Sequence, residues 1–104
     1  MLFVTLWELN ENMAEQERLA IAQKLTSSAL FPPAGVNVLR WDGTPDGWGI
    51  LVMEADRAED VFRAIDQWRA AGSGFFKATR TAPALPIQQV LPLGQEILTA
   101  LGAH

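Results

Sequence analysis

Cysteine and tyrosine are absent from this sequence, and histidine occurs once, as the final residue His104. The lack of cysteine excludes disulfides, thiolate metal sites and a cysteine nucleophile, and is compatible with any redox compartment. A single terminal imidazole is neither a metal site nor a well-placed general base, so Ser27, Ser28 and Ser73 have no partner for a Ser-His-acid triad. The missing tyrosine removes a phenolic general acid. No glycine-rich phosphate loop is present: Gly47 and Gly49 belong to a hairpin, and Gly72 and Gly74 are not the glycines of a strand-to-helix nucleotide turn. These residues call for no cofactor.

Basic residues are also scarce. Eight Lys and Arg stand against 12 Asp and Glu, giving a net charge of −4. A field of that sign repels phosphate backbones, so nucleic acid is not an expected partner. Apolar runs are no longer than a strand, and Met1 leads directly into Leu2-Phe3-Val4 without the basic segment and cleavage site of a signal peptide. The expectation is a soluble cytoplasmic protein with no membrane contact. Linkers, repeats and low-complexity tracts are missing too, and 104 residues with 49% apolar content suit one globular domain with one core.

What is present is an ordered series of periodicities. Leu2 to Leu9 alternates with both faces largely apolar, which predicts a central strand. Asn12 and Glu15 have the spacing of a capping box, predicting a helix to about Ala29 with Ala14, Ile21, Ala22, Leu25 and Ala29 inward. Arg18 falls within that stripe, where its aliphatic stem can cover the core edge. Pro32-Pro33-Ala34-Gly35 ends the segment, and Val36 to Asp42 reads as an edge strand. Gly43-Thr44-Pro45-Asp46-Gly47 is a turn leading to a second central strand, Trp48 to Ala55. Asp56 and Glu59 repeat the capping spacing for a helix to about Ala71, with Ala58, Val61, Phe62, Ile65 and Trp68 inward. Phe75 to Thr81 is the last strand, closed by Pro83 and Pro86. An amphipathic helix from Ile87 to Leu101 follows, interrupted at Pro92 and Gly94. Its apolar stripe must be buried on its own domain or on a partner.

The order βαββαβ predicts an α+β ferredoxin-like sandwich: a four-stranded antiparallel sheet of order 4-1-3-2, with two helices on one face. The opposite face then has no cover. In phase with Trp7, the expected open face carries Phe3, Thr5, Trp7 and Leu9, then Leu39 and Trp41, then Phe75, Lys77 and Thr79. An apolar patch of that extent calls for a partner, and a second copy is the simplest one. Among ionisable groups, Glu54 ends an apolar strand, where partial burial would perturb it or Arg40 would pair with it across the hairpin. The candidate cavity or interface residues are therefore Phe3, Thr5, Trp7, Trp41, Glu54 and Lys77.

Several local patterns, in order, carry a family resemblance. They are Leu2-Phe3-Val4-Thr5-Leu6-Trp7-Glu8, Pro32-Pro33 with Gly35-Val36, Asp46-Gly47 with Gly49, Glu54-Ala55-Asp56, Trp68, and Thr81 with Pro83 and Pro86-Ile87. Together they resemble a family of small bacterial proteins known only as a domain of unknown function. The resemblance implies a ferredoxin-like fold of the dimeric α+β barrel kind, similar to stress-responsive barrel domains and antibiotic-biosynthesis monooxygenases. It implies no activity. Three roles follow as expectations: a homodimeric binding or structural module; a cofactor-independent monooxygenase- or isomerase-like enzyme or carrier with a small hydrophobic ligand in the barrel; or a domain that docks another protein through its terminal helix.

Overall fold

The computed structural model describes residues 1–72 and 74–102; the expectations placed on Ser73 and His104 lie outside the described residues. Four strands and three helices follow the chain as β1 (Leu2–Leu9), α1 (Glu15–Ser27), β2 (Val36–Gly43), β3 (Trp48–Ala55), α2 (Ala58–Ala71), β4 (Phe76–Ala84) and α3 (Ile87–Gly102). The strands form one antiparallel sheet in the order β2-β3-β1-β4. The α+β ferredoxin-like order read from the sequence is the observed one, with β1 and β3 central.

Element ends differ from the sequence expectations for local reasons. α1 starts at Glu15 after Ala14, because the Asn10 side chain takes the Asn12 N–H in a turn of its own at 3.0 Å, so Asn12 caps nothing. Arg18 secures that turn by donating from Nη1 to the carbonyls of Asn10, at 3.1 Å, and Met13. α2 likewise begins after Arg57 rather than on an Asp56 cap. β4 runs through Pro83, which lies opposite Phe3, because an edge strand tolerates a residue that cannot donate. α3 is continuous across Pro92 and Gly94.

The core lies between the sheet and α2. Phe3, Leu51, Met53 and Ala55 from the sheet meet Val61, Ala64, Ile65 and Trp68 from α2, with Leu25 the only buried residue of α1. Phe62, expected inward, is 70% exposed. At α2's C-terminal half, Trp68 is enclosed by Phe31, Trp41, Phe75 and Phe76, with ring centroids 5.0–5.8 Å away. This aromatic cluster joins the loop before β2, β2 itself, α2 and the start of β4.

α3 stands apart from that core. None of its residues is buried, the Cα radius of gyration is 17.2 Å, and the long dimension is 61 Å. A compact chain of about 100 residues has a radius near 13 Å. The excess is a helical arm projecting from the end of β4.

Candidate functional site

Register fixes which side chains share each sheet face. Across β1 and β3, Leu2 pairs with Glu54, Val4 with Val52, Leu6 with Ile50, and Glu8 with Trp48. The same β1 residues pair with Ala84, Ala82, Arg80 and Ala78 of β4. These residues form the open face. Phe3 and Thr5, paired with Met53 and Leu51, form the face under the helices. Phe3 is 6% and Thr5 1% exposed, and the Thr5 and Thr81 hydroxyls hydrogen-bond at 2.8 Å.

The observed phase is therefore the inverse of the expected one. Phe3, Thr5 and Trp7 lie on the covered side, and Trp41 shares that side with its ring against Phe31 and Trp68. Trp7 lies over Gly43 and Gly49 and is only partly exposed. Lys77 belongs to neither set, because an irregularity opposite Glu8 and Leu9 turns it toward the Glu8 carboxylate, 3.9 Å away. Glu54 is on the open face but exposed rather than partly buried. Its expected partner Arg40 instead forms a hydrogen-bonded ion pair with Asp42, two residues along the same strand. That hydrogen bond and charge raise the Arg40 guanidinium above its ordinary value.

The residues that do occupy the open face are Leu2, Val4, Leu6, Trp48, Ile50 and Val52, flanked by an alanine lane on β4. Leu6 is 42% and Trp48 43% exposed. A signal for them exists in the sequence: Glu8, Glu54 and Arg80 share their parity along β1, β3 and β4. Charges concentrate on the face that no helix covers.

Because β4 supplies alanines there, its side of the open face is recessed. A hollow of about 200 Å³ lies among Leu6, Trp7, Glu8, Trp48, Ala78 and Arg80. Arg80 makes no ion pair among the described residues, whereas Glu8 is held by Lys77. The hollow thus combines an indole, a leucine and a free guanidinium, a set suited to a small apolar molecule bearing one negative charge. No group of three or more His, Asp or Glu among the described residues could hold a metal ion.

A second recess lies on the opposite side of the sheet. Between α2 and β4, a groove of about 330 Å³ runs past Ala58, Phe62 and Ile65, with Thr81 and Pro83 on its other wall and Phe3 at its floor. Arg69 closes one end, donating to the Thr79 hydroxyl at 2.9 Å while lying 3.5 Å from Asp66. The end beside Ala58 and Pro83 is open.

No helix among the described residues is long and apolar enough to cross a membrane. No curated protein matches the chain. A family model described as "Domain of unknown function (DUF3303)" matches residues 1–98, a stretch that includes the whole sheet, both recesses and most of α3. By that match, the chain belongs to the DUF3303 family, to which no activity is assigned.

Proposed function

We propose that the protein is a homodimeric binding module whose two sheets meet through their open faces and enclose the Leu6–Trp48–Arg80 hollow. The observation carrying this reading is the uncovered apolar row Leu2, Val4, Leu6, Trp48, Ile50 and Val52 on the sheet's centre. Such a row on two central strands faces water only at a cost of about 25 cal/mol for each Å² left unburied. Sheets packed face to face lie about 10 Å apart, which removes the row from water. The alanine lane lets the hollow survive that approach as an internal cavity.

Light scattering is expected to give twice the 11.4 kDa chain mass at micromolar concentration. Ile50→Lys, which puts a charge at the centre of the contact, should weaken dimerisation by about tenfold or more on dilution, with unchanged far-UV circular dichroism. A monomeric native protein, or an Ile50→Lys protein that dissociates at the same concentration as the native one, overturns the sheet contact.

The ligand part has its own measurement. Small aromatic and medium-chain aliphatic carboxylates at about 100 times their Kd should stabilise the fold by about 2.7 kcal/mol, a thermal shift on the order of 10 °C for a domain this small. Arg80→Ala should abolish that shift while leaving the mass unchanged. If no carboxylate shifts the native protein, or Arg80→Ala leaves the shift intact, the hollow is not the seat.

A further inference from the structure

We infer that the groove between α2 and β4 is the receptor for α3 of a second copy, so that two chains exchange C-terminal arms. The arm is built to be buried. Ile87, Val90, Leu91, Ile97, Leu98 and Leu101 recur at three- and four-residue spacing along one side of the helix, and each is 40–77% exposed. The other side carries Gln88, Gln89, Gln95, Glu96 and Thr99. No Lys or Arg lies within α3. A helix lying on an anionic lipid surface carries cations on its polar side, and this one has none, which favours a protein surface.

The groove spans about two-thirds of the arm. Its α2 wall extends from Ala58 to Arg69, about 16 Å at 1.5 Å per residue, and the arm is about 24 Å long. The groove is lined mainly by apolar side chains; the Thr81 hydroxyl is taken up by Thr5, and Asp66, Arg69 and Thr79 gather at the closed end. One wall residue, Phe62, is 70% exposed and is the α2 aromatic that the chain's own core does not use. A helix laid there would cover the side of β4 that otherwise lacks a neighbour.

Geometry at the exit selects another copy rather than the same chain. β4 ends at Ala84, and only Leu85 and Pro86 precede α3. The Pro86 carbonyl already accepts from Gln89 and Val90, so the helix begins at once, and a residue before proline is held extended. The arm therefore continues outward from the groove's open end, beside Pro83. A two-fold axis near that end carries each arm to the other chain's open end.

The area is sufficient. Each large apolar side chain of the arm withdraws on the order of 80–100 Å² from water. With about four such side chains per arm within the groove's length, two arms and an equal area on the grooves receiving them come to roughly 1,300–1,600 Å², within the 1,200–2,000 Å² typical of stable interfaces. This inference rests on the homodimer proposed above only in naming a second copy as the donor. It uses the opposite side of the sheet.

The absence of native cysteine makes the test direct. Full-length chains carrying Phe62→Cys are mixed with chains carrying one arm cysteine, Val90→Cys, Leu91→Cys, Ile97→Cys, Leu98→Cys or Leu101→Cys, and then oxidised. The expected result is a disulfide-linked species at twice the chain mass for at least one arm position. The matching double variant should also link between chains. A disulfide confined within a single chain in the double variant means the arm folds onto its own groove, and overturns the inference. So does the absence of a link at all five positions, or linkage only between two arm cysteines. Repeating the experiment with Ile50→Lys added separates the two contacts. A link that persists there supports arm exchange even if the sheet contact has failed, whereas a dimeric native protein with no link at any position overturns the arm alone.

Discussion

On replacement of Trp68 by alanine, the free energy of unfolding is expected to fall by about 3–5 kcal/mol, a large part of the 5–15 kcal/mol that holds an ordinary domain together. The indole is 2% exposed and meets aromatic rings from the loop before β2, from β2, and from the start of β4. Truncation opens a cavity that these neighbours cannot fill together, since Phe31 and Trp41 also pack on each other at 5.4 Å. It also removes tilted and edge-to-face ring contacts, each worth about 0.5–1.5 kcal/mol beyond buried area. Trp68→Phe retains a ring in the cluster and should lose about half as much. Urea denaturation, with the slope compared between variants, reads the difference directly. Leu19→Ala is the control: Leu19 is 56% exposed on α1, and its loss should change stability by no more than about 0.5 kcal/mol. A Trp68→Ala protein within 1 kcal/mol of the native one would show that the aromatic cluster does not organise the core.

Trp68 was legible in the sequence because it recurs with Val61 and Ile65 at helical spacing. The faces of the sheet were not legible in the same way. β1 reads Leu-Phe-Val-Thr-Leu-Trp-Glu-Leu, apolar at both parities, so alternation cannot say which parity a helix will cover. Hydropathy points the wrong way at one pair: Thr5 is nearly fully buried while Leu6 is 42% exposed. What reconciles them is the hydroxyl pair of Thr5 and Thr81, a cross-strand contact that exists only once β4 has been placed beside β1. Phe62 shows the same limit on a helix. It lies at the edge of the apolar stripe, and its exposure is set by β4, whose helix-facing side α2 leaves partly uncovered.

The helix starts were misread for a more local reason. A side chain three residues before a glutamate can cap a helix, but Asn10 satisfies the Asn12 amide and so moves the start of α1 to Glu15. Pro83 does not terminate β4, because the edge position tolerates a residue that cannot donate. The open-face site itself was recoverable. The parity of Glu8, Glu54 and Arg80 marks the uncovered face, and the row from Leu2 to Trp48 shares it.

Gly49→Ala is expected to be the most damaging of the small substitutions, at about 3 kcal/mol, the upper part of the range for overpacking. Gly49 stands between Trp7 of β1 and Gly43 of β2 in the register of the sheet. A methyl group there would lie 2.1 Å from the Asp42 carbonyl oxygen and 2.3 Å from Cζ2 of Trp7. The carbonyl belongs to the backbone of the paired strand and cannot rotate away. The indole can move only by giving up its place beside Phe76, whose ring centroid is 6.1 Å away. Combining Trp7→Ala with Gly49→Ala separates the two clashes. Removing the indole relieves one of them, so the double variant should lose less than the sum of the single losses, by about 0.5–3 kcal/mol. Gly47→Ala is the contrasting case at the hairpin tip: its φ of +78° strains any side chain, but nothing lies within 4 Å of the added methyl. Its cost should stay near the 1–2 kcal/mol of a left-handed residue. Gly49 lies outside the positive-φ region, so equal losses at Gly47 and Gly49 would mean that the Asp42 carbonyl and the indole give way to the added methyl group.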